Sequence, residues 1–227
     1  MGPCGAIVGS LGRVTRGIRW AWLAVEFAAL FFVAVGVYAA IGSPGSPIPV
    51  LVVLAVAVTV YLVRQPDLDR STFGGLGKLR AELPSMLGWW AASAAVITVL
   101  LLIFSPERLL VFPRQEPVVW ALVMVLYPLL SVYPQEMIFR AFLFHRYKPL
   151  FGTGAPVVAA SAISFGFAHV IFGNWVSVGL TLIGGLIFAA RYRKTGSVLV
   201  ASVEHALYGC LVFTIGLGEF VYHGGAG

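Results

Sequence analysis

Long apolar runs, separated by short turns rich in glycine, proline or charge, recur from one end of the chain to the other. A helix needs about 20 consecutive apolar residues to cross a bilayer. Of the 227 residues, 59% are hydrophobic and only 11% are charged, whereas a soluble domain has about 25% charged residues. The sequence therefore predicts an all-α, multi-pass transmembrane helical bundle of seven or eight spans, embedded in a lipid bilayer.

Seven spans can be delimited from these runs and the breaks between them. The predicted spans are residues 20–41, 48–63, 86–104, 117–149, 155–172, 175–190 and 198–217. Residues 1–19 are expected to form a cytoplasmic tail and 20–227 a single transmembrane domain, because no polar stretch is long enough for a second one. The fourth segment would be about 50 Å long as a helix, against a hydrocarbon core of about 30 Å. Pro128 and Pro134 are expected to kink it.

Positive charges are distributed unevenly between the predicted loops. If the chain crosses seven times from a cytoplasmic N-terminus, thirteen of its fifteen lysines and arginines lie on the cytoplasmic side. Only Arg108 and Arg114 lie outside, which is the bias expected when basic loops stay in the cytoplasm. The sequence thus predicts a protein of the cell (plasma or inner) membrane with a cytoplasmic N-terminus. Topology explains the formal net charge of +6, so no nucleic-acid partner is expected, and no feature specifies an oligomeric state.

An acid and a base stand four residues apart inside the fourth apolar segment. Residues at this spacing lie on one face of a helix, so Glu136 can reach Arg140. An ionisable group at membrane depth costs about 2.5–3.5 kcal/mol on insertion scales. Chains that keep such groups usually use them, which makes the pair a candidate for function.

Two histidines lie in later spans and are predicted to share the depth of this pair. Glu136 lies sixteen residues before the turn at Gly152, and His169 lies seventeen residues after it. A helical hairpin therefore places the two at nearly the same height. His205 follows Glu204 in the last span, and a common layer with the other groups is expected there.

A carboxylate and two histidines in one membrane layer can support more than one chemistry. A carboxylate with a histidine can activate water, and a second histidine can stabilise an oxyanion. The same Glu136, His169 and His205 could instead hold zinc, which also activates water. Hydrolysis of an amide fits either arrangement, and a proton relay in a proton-coupled transporter is the competing interpretation.

Three short motifs lie in order on successive predicted spans. They are Gln135-Glu136-x-x-x-Arg140, Phe165-x-x-x-His169 and His205-x-x-x-Gly209. The chain resembles here the CAAX protease and bacteriocin-processing (Abi) family of intramembrane glutamic proteases, whose pattern is Glu-Glu-x-x-x-Arg, Phe-x-x-x-His and His-x-x-x-Asn. The resemblance covers roughly residues 127–213 within a core of about 117–217. It implies a CAAX-protease-like bundle that cuts a membrane-associated peptide or protein, with no cofactor expected unless zinc is used.

The chain departs from the family pattern at two positions. The family's first glutamate, usually assigned as the base, is replaced by Gln135, and the asparagine credited with the oxyanion hole is replaced by Gly209. A non-catalytic relative that binds hydrophobic peptides is therefore an alternative to an active enzyme. The expected catalytic residues are Glu136, His169 and His205, with Gln135 and Arg140 in support and Glu204 and Glu26 as alternative acids.

The remaining conspicuous residues are expected to have structural roles. Asn174 is predicted to cap the sixth span, His145 and His223 are predicted to lie near the surface, and Cys4 and Cys210 fit no metal-ligand spacing. Small residues in the sixth span favour close helix packing. The tryptophans lie near predicted span ends and are interpreted as interfacial anchors; they are Trp20, Trp22, Trp89, Trp90, Trp120 and Trp175.

Overall fold

Helices are the only regular secondary structure in residues 3–221, the part of the chain that this computed structural model describes, with side chains from residue 16 onward. Six of them are long and apolar enough to cross a membrane, and a seventh is apolar but shorter. In chain order the seven are α1 (Arg16–Ala40), α2 (Ile48–Val63), α3 (Leu76–Phe104), α4 (Pro117–Arg146), α5 (Ala155–Phe172), α6 (Trp175–Thr195) and α7 (Val198–Ile215). The predicted multi-pass helical bundle is confirmed.

The third helix begins earlier than predicted. The predicted start was Met86, but α3 begins at Leu76 and contains Pro84. A proline inside a helix loses one hydrogen bond and crowds the preceding turn. Here Glu82 pairs with Lys194 on α6 at 2.7 Å, and this tertiary ion pair holds the first turns of α3 in place. The bounds of the other six helices agree with the predicted spans to within five residues.

The first and fourth helices contain wide, π-helical turns. The helix that includes α1 begins at Pro3, ahead of the predicted span, and Ala29–Val33 is π-helical. In α4 the π-helical stretches are Pro128–Val132 and Met137–Phe142. The prolines predicted to kink this segment lie at or just before these stretches, since a proline cannot donate the backbone bond that a regular turn needs. Wide turns of this kind are frequent at functional sites.

Hydrogen bonds between connecting segments define two faces of the bundle. On one face the Ser43 hydroxyl donates to the carbonyl of Ile171 at 3.2 Å, and the Asn174 amide donates to the carbonyl of Phe220 at 2.8 Å. These bonds bring together the α1–α2 turn, the α5–α6 turn and the segment after α7.

On the opposite face, Thr72 donates to the carbonyl of Gly196 at 3.1 Å and Ser197 donates to the carbonyl of Gly74. The α2–α3 loop therefore lies beside the α6–α7 turn. The two ends of α2 lie on different faces, so this helix also runs from face to face although it is only 16 residues long.

The end of α4 lies beside the α2–α3 loop, because His145 is 3.7 Å from Asp67, and beside α1, because Arg146 pairs with Glu26. The α3–α4 loop lies beside the segment after α7, because Arg108 pairs with Glu219. The helices therefore connect the two faces.

The core lies around the second half of α4. Every residue from 134 to 141 is buried. Half of the most apolar stretch of α7 is buried, against 6% of that of α3. The inner part of α4 and α7 therefore form the centre of the bundle, while α3 exposes most of its surface, as expected for a helix that faces lipid.

Helices α5 and α6 approach each other through small residues. A Cβ atom added to Gly185 would lie 3.0 Å from the Cα of Ala162, and one added to Gly166 would lie 3.1 Å from the Cβ of Leu182. The close packing predicted for the sixth span is present. It brings the end of α5, which carries His169, against α6.

Candidate active site

A cavity of about 480 Å³ lies between α3, α4, α5, α6 and α7. Most of its wall is apolar, formed by residues such as Trp89, Ile97, Phe165 and Phe188. Within the described residues, no aspartate or glutamate lines it. Its hydrogen-bonding side chains include Tyr127, Ser131, Gln135, His169 and His205. A largely apolar cavity with a few convergent polar groups is the usual form of a binding or catalytic site.

Glu136 and His205 form the buried centre of the site. The Glu136 side chain is fully buried on α4, and its Oε1 lies 2.9 Å from Nδ1 of His205 on α7. A carboxylate can only accept, so Nδ1 carries the hydrogen. In the neutral ring Nε2 then holds the lone pair on the other side of the imidazole. Glu136 itself does not line the cavity, whereas His205 does.

Arg140 lies directly behind this pair. Its Nε is 3.1 Å from Oε2 of Glu136, and both side chains are fully buried, so the ion pair predicted from their spacing is confirmed. Its Nη1 donates to the Ser161 hydroxyl at 3.0 Å, and that hydroxyl donates to the carbonyl of Phe139 at 2.8 Å. The guanidinium also lies 4.8 Å from the centre of the Phe165 ring, a favourable cation–π contact.

His169 lies at the point where α5 changes from α-helix to 3₁₀-helix. Its Nδ1 is 2.7 Å from the carbonyl of Phe165, and a carbonyl can only accept, so this nitrogen is also the protonated one. The ring lines the cavity, and no described residue hydrogen-bonds to its Nε2. A neutral His169 therefore presents an unused lone pair.

The two imidazoles share one aromatic neighbour, Phe165, and His205 has a second. The Phe165 ring centre lies 4.7 Å from that of His169 and 5.4 Å from that of His205. The ring of Phe188 stacks on His205 at 4.5 Å with an interplanar angle of 14°. These contacts restrict rotation of the rings and place both histidines on one side of the cavity.

Gln135, at the position of the family's first glutamate, does face the cavity. Its side chain is buried, and its Nε2 donates to the Ser131 hydroxyl at 2.7 Å. Its Oε1 is buried without a hydrogen-bond partner among the described residues. Consecutive residues on a helix point about 100° apart, which is why Gln135 lines the cavity while Glu136 turns into the core.

Tyr127 is a site residue that the sequence alone did not indicate. Its hydroxyl oxygen lies 3.2 Å from Nε2 of His205 and it lines the cavity. A Cβ atom added to Gly209 would overlap this phenol. The sequence does contain one indirect signal: the family's asparagine is replaced by Gly209, which has no side chain. A hydrogen-bond donor from another helix could therefore have been sought.

The two alternative acids, Glu26 and Glu204, form ion pairs with arginines outside the cavity. Glu26 binds both Nε and Nη2 of Arg146, at 2.9 and 2.7 Å, and accepts from the Tyr147 hydroxyl at 3.1 Å. Burial, together with the neighbouring Glu26 carboxylate, raises the pKa of the Tyr147 phenol, which keeps it a donor. Glu204 binds Arg191 through two contacts of 2.9 and 2.8 Å. Neither carboxylate lines the cavity.

The residues considered for zinc do not form a ligand set. Across the described part of the chain, no three histidine, cysteine, aspartate or glutamate side chains are grouped so that they could hold a metal ion. Glu136 contacts His205 and Arg140, and its contact with His205 uses Nδ1, one of the two ring nitrogens that could bind a metal. The geometry that is present matches a hydrogen-bonded pair.

Three of the remaining predicted residues contribute to helix packing. Asn174 caps α6 by accepting from the backbone of Ser177 at 2.8 Å, as predicted. Trp90 and Trp120 donate to α7, the first to the carbonyl of Leu207 at 2.9 Å and the second to Thr214 at 3.1 Å. These two tryptophans therefore attach α3 and α4 to α7.

The structure describes some of the histidines and cysteines that were predicted to lie near the surface or to be inert. His145 is partly buried, with 18% of its side chain exposed, and lies 3.7 Å from the exposed Asp67, so it lies near the surface, as predicted. Cys210 is free and half-buried. His223 and the side chain of Cys4 lie outside the described residues.

Comparison with known families gives one match. Residues 116–211 match the family described as type II CAAX prenyl endopeptidase, Rce1-like. This segment contains all three motifs and most of the cavity wall, and it confirms the resemblance to the CAAX protease family. The match covers under half of the chain. Together with the helical fold, it supports a multi-pass membrane protein similar to the CAAX proteases, in general terms a protease-type hydrolase. No curated protein and no solved structure matches the chain.

Proposed function

We propose that the protein is an intramembrane endopeptidase that hydrolyses a peptide bond of a membrane-associated protein or peptide inside this cavity. One observation carries the proposal: two histidines with defined tautomers line a largely apolar cavity. An apolar cavity suits a substrate that arrives from the bilayer, and histidine is the side chain most often used to move protons at neutral pH.

His169 is the proposed general base. Its Nδ1 hydrogen is bound to the carbonyl of Phe165, and its Nε2 lone pair has no partner among the described side chains. In the reaction Nε2 takes a proton from water as the water oxygen bonds to the carbonyl carbon. The same proton then passes to the leaving amine as the carbon–nitrogen bond breaks. The products are a carboxylic acid and an amine, and His169 returns to its neutral form.

His205 and Glu136 are proposed to help hold the attacking water, because Nε2 of His205 can accept a hydrogen bond from it when Nδ1 carries the hydrogen. His205 lies at the cavity, and Glu136 fixes its orientation through the 2.9 Å contact with Nδ1. Arg140 provides the opposite charge beside Glu136, at 3.1 Å, in a buried environment that disfavours an isolated charge. In this arrangement Glu136 and Arg140 are positioning residues, since they act through His205, and His169 and His205 are the catalytic residues.

The proposal is tested with purified protein in liposomes that contain a membrane-anchored fluorescent reporter peptide. Cleavage is expected in the wild type, with a loss of about 100-fold or more in His169→Ala and in His205→Ala, the range of general acid–base catalysis. His145→Ala is the matched control, because His145 does not line the cavity, and it should cleave normally. Cleavage that survives both active-site changes would refute the assignment. Solute-dependent proton flux without cleavage would indicate a transporter.

A second candidate function is a non-catalytic relative that binds hydrophobic peptides. The observation that favours it is Gln135, which faces the cavity where the family has a carboxylate, on a wall that lacks acidic side chains within the described residues. Such a protein would bind the reporter peptide in the same liposomes and leave it uncut. Binding lost in His169→Ala without any cleavage in the wild type would favour this alternative.

We also propose a cytoplasmic N-terminus in the cell membrane. The α2–α3 loop and the α6–α7 turn lie on one face, and both are basic segments that the positive-inside rule assigns to the cytoplasm. Single cysteines introduced at exposed Ser71 or at exposed Glu107 should react with a membrane-impermeant reagent from opposite sides. Labelling of the Ser71 position from outside intact cells would contradict this orientation.

A further inference from the structure

We infer that the Tyr127 hydroxyl is the hydrogen-bond donor that stabilises the oxyanion in this protein, in the space left free by Gly209. The inference rests on the proposed peptidase function and identifies a further catalytic residue for it. Its basis is a juxtaposition across two helices: Tyr127 on α4 fills the position where a side chain from residue 209 on α7 would stand.

The position of the hydroxyl is well defined. Its oxygen lies 3.2 Å from Nε2 of His205, and its ring packs edge-to-face on Phe213 with centres 5.1 Å apart. Tyr127 directly precedes the π-helical stretch that begins at Pro128. The phenol therefore lines the cavity beside one of its two histidines.

Gly209 makes this arrangement sterically possible. Residue 209 lies one helical turn after His205, so a side chain there would lie beside the imidazole. A Cβ atom at this position would overlap the hydroxyl oxygen and two ring carbons of Tyr127. A phenol from α4 and a side chain at residue 209 are therefore mutually exclusive. The resemblance described above places an asparagine at this position, so one uncharged donor replaces another from a different helix.

The chemistry of a phenol suits this role. Its O–H is a donor at neutral pH, and because Nδ1 of His205 already carries a hydrogen, the phenol donates to Nε2 in the resting state. A hydrogen bond to an anion is roughly twice as strong as one to a neutral acceptor. The phenol hydrogen therefore turns from Nε2 to the carbonyl oxygen as that oxygen gains charge. Tyr127 keeps its proton throughout, so no transfer step is added.

The first test is Tyr127→Phe, which removes the hydroxyl and retains the ring that packs on Phe213. Loss of one oxyanion donor should lower kcat about 100- to 1000-fold, with KM and the thermal unfolding midpoint little changed. Tyr133→Phe is the matched control, because Tyr133 lies on the same helix but is exposed and outside the cavity. A merely structural role for Tyr127 would instead lower the unfolding midpoint and leave kcat per folded molecule unchanged.

The second test moves the hydrogen-bond donor from residue 127 to residue 209. Gly209→Asn alone should inactivate or destabilise the protein, because its side chain overlaps Tyr127. Combined with Tyr127→Ala, which makes room, Gly209→Asn should raise kcat at least about tenfold over Tyr127→Ala alone, since it supplies a new donor. An exchange that recovers nothing would contradict the idea that both positions serve the same oxygen.

The measurements are made in the wild type and in a Gln135→Glu background. If either background cleaves the reporter peptide, requires His169 and keeps its full kcat in Tyr127→Phe, the role of Tyr127 is refuted. The peptidase function stands if the wild type is among those that cleave. If neither background cleaves, the peptidase function is refuted and the inference fails with it.

Discussion

Two arginine–carboxylate clusters lie inside the bundle, and they use neighbouring residues of α7. Arg140 pairs with Glu136, which also holds His205, and all three side chains are at most 6% exposed. One residue away, Glu204 pairs with Arg191 on α6, whose side chain is 10% exposed. His205 and Glu204 point in different directions because consecutive helical residues are about 100° apart.

The two clusters differ in how completely their charges are compensated. Arg191 binds two carboxylates, Glu204 and Glu82, and Glu82 is also paired with Lys194. This cluster links α3, α6 and α7 near the face where their connecting turns meet. Arg140, by contrast, has one carboxylate partner, and its Nη2 is buried without a hydrogen bond to any described residue.

This difference is the basis for assigning one cluster to helix packing and proposing a functional role for the other. A buried ion pair is common in proteins and is weak evidence for function by itself. Only the Arg140 cluster contains a histidine that lines the cavity. Contact with a histidine that lines the cavity, rather than burial, therefore distinguishes the candidate active site from a cluster that stabilises helix packing.

The largest expected effect is on Arg140. Arg140→Ala leaves Glu136 buried without its cation, and breaking a buried pair in this way costs about 3–5 kcal/mol. Yield and the thermal unfolding midpoint should both fall sharply. Glu136→Gln in the same protein removes the unpaired charge and should restore part of the loss. A double variant no better than Arg140→Ala would show that the two residues do not stabilise each other.

A smaller effect is expected from the second cluster. Arg191→Ala removes the cation beside buried Glu204, but Arg191 is 10% exposed, so its removal lets water reach the carboxylate. The cost should therefore fall below the value of about 3–5 kcal/mol expected for a fully buried pair. Peptide cleavage per folded molecule should stay at the wild-type rate, because none of these residues lines the cavity. Arg193→Ala, an exposed change two residues away, is the control. A fall in kcat without a fall in stability would place the Arg191 cluster in the active site.

The smallest effect is expected at Gln135. If His169 is the base, Gln135→Glu adds a carboxylate to a site that already functions, and kcat should change by less than about tenfold. Exposed Gln115→Glu controls for the added charge. A rise of about 100-fold or more, which is what general-base catalysis contributes, would mean that the wild-type site lacks its base. The protein would then be a weakened or non-catalytic relative.

Local spacing in the sequence was sufficient to determine the helices, the contact of Glu136 with Arg140 and the cap at Asn174. Each depends on residues at most four positions apart, where helix geometry alone sets the distance. The apolar runs were likewise sufficient to predict seven helices, while the orientation predicted from the positive-charge count stays a prediction. The family motifs indicated which helices carry the site.

Contacts between helices were decided only by the tertiary structure. Depth counting placed Glu136 level with His169, whereas its carboxylate contacts His205, and the partners of Glu26 and Glu204 lie 120 and 13 residues away. The start of α3 and the exchange of Tyr127 for a side chain at Gly209 also depend on neighbouring helices. The physical reason is that periodicity specifies which face of a helix a residue occupies. The rotation and height of that helix against its neighbours follow from side-chain packing and from the π-helical turns of α4, which no local pattern encodes.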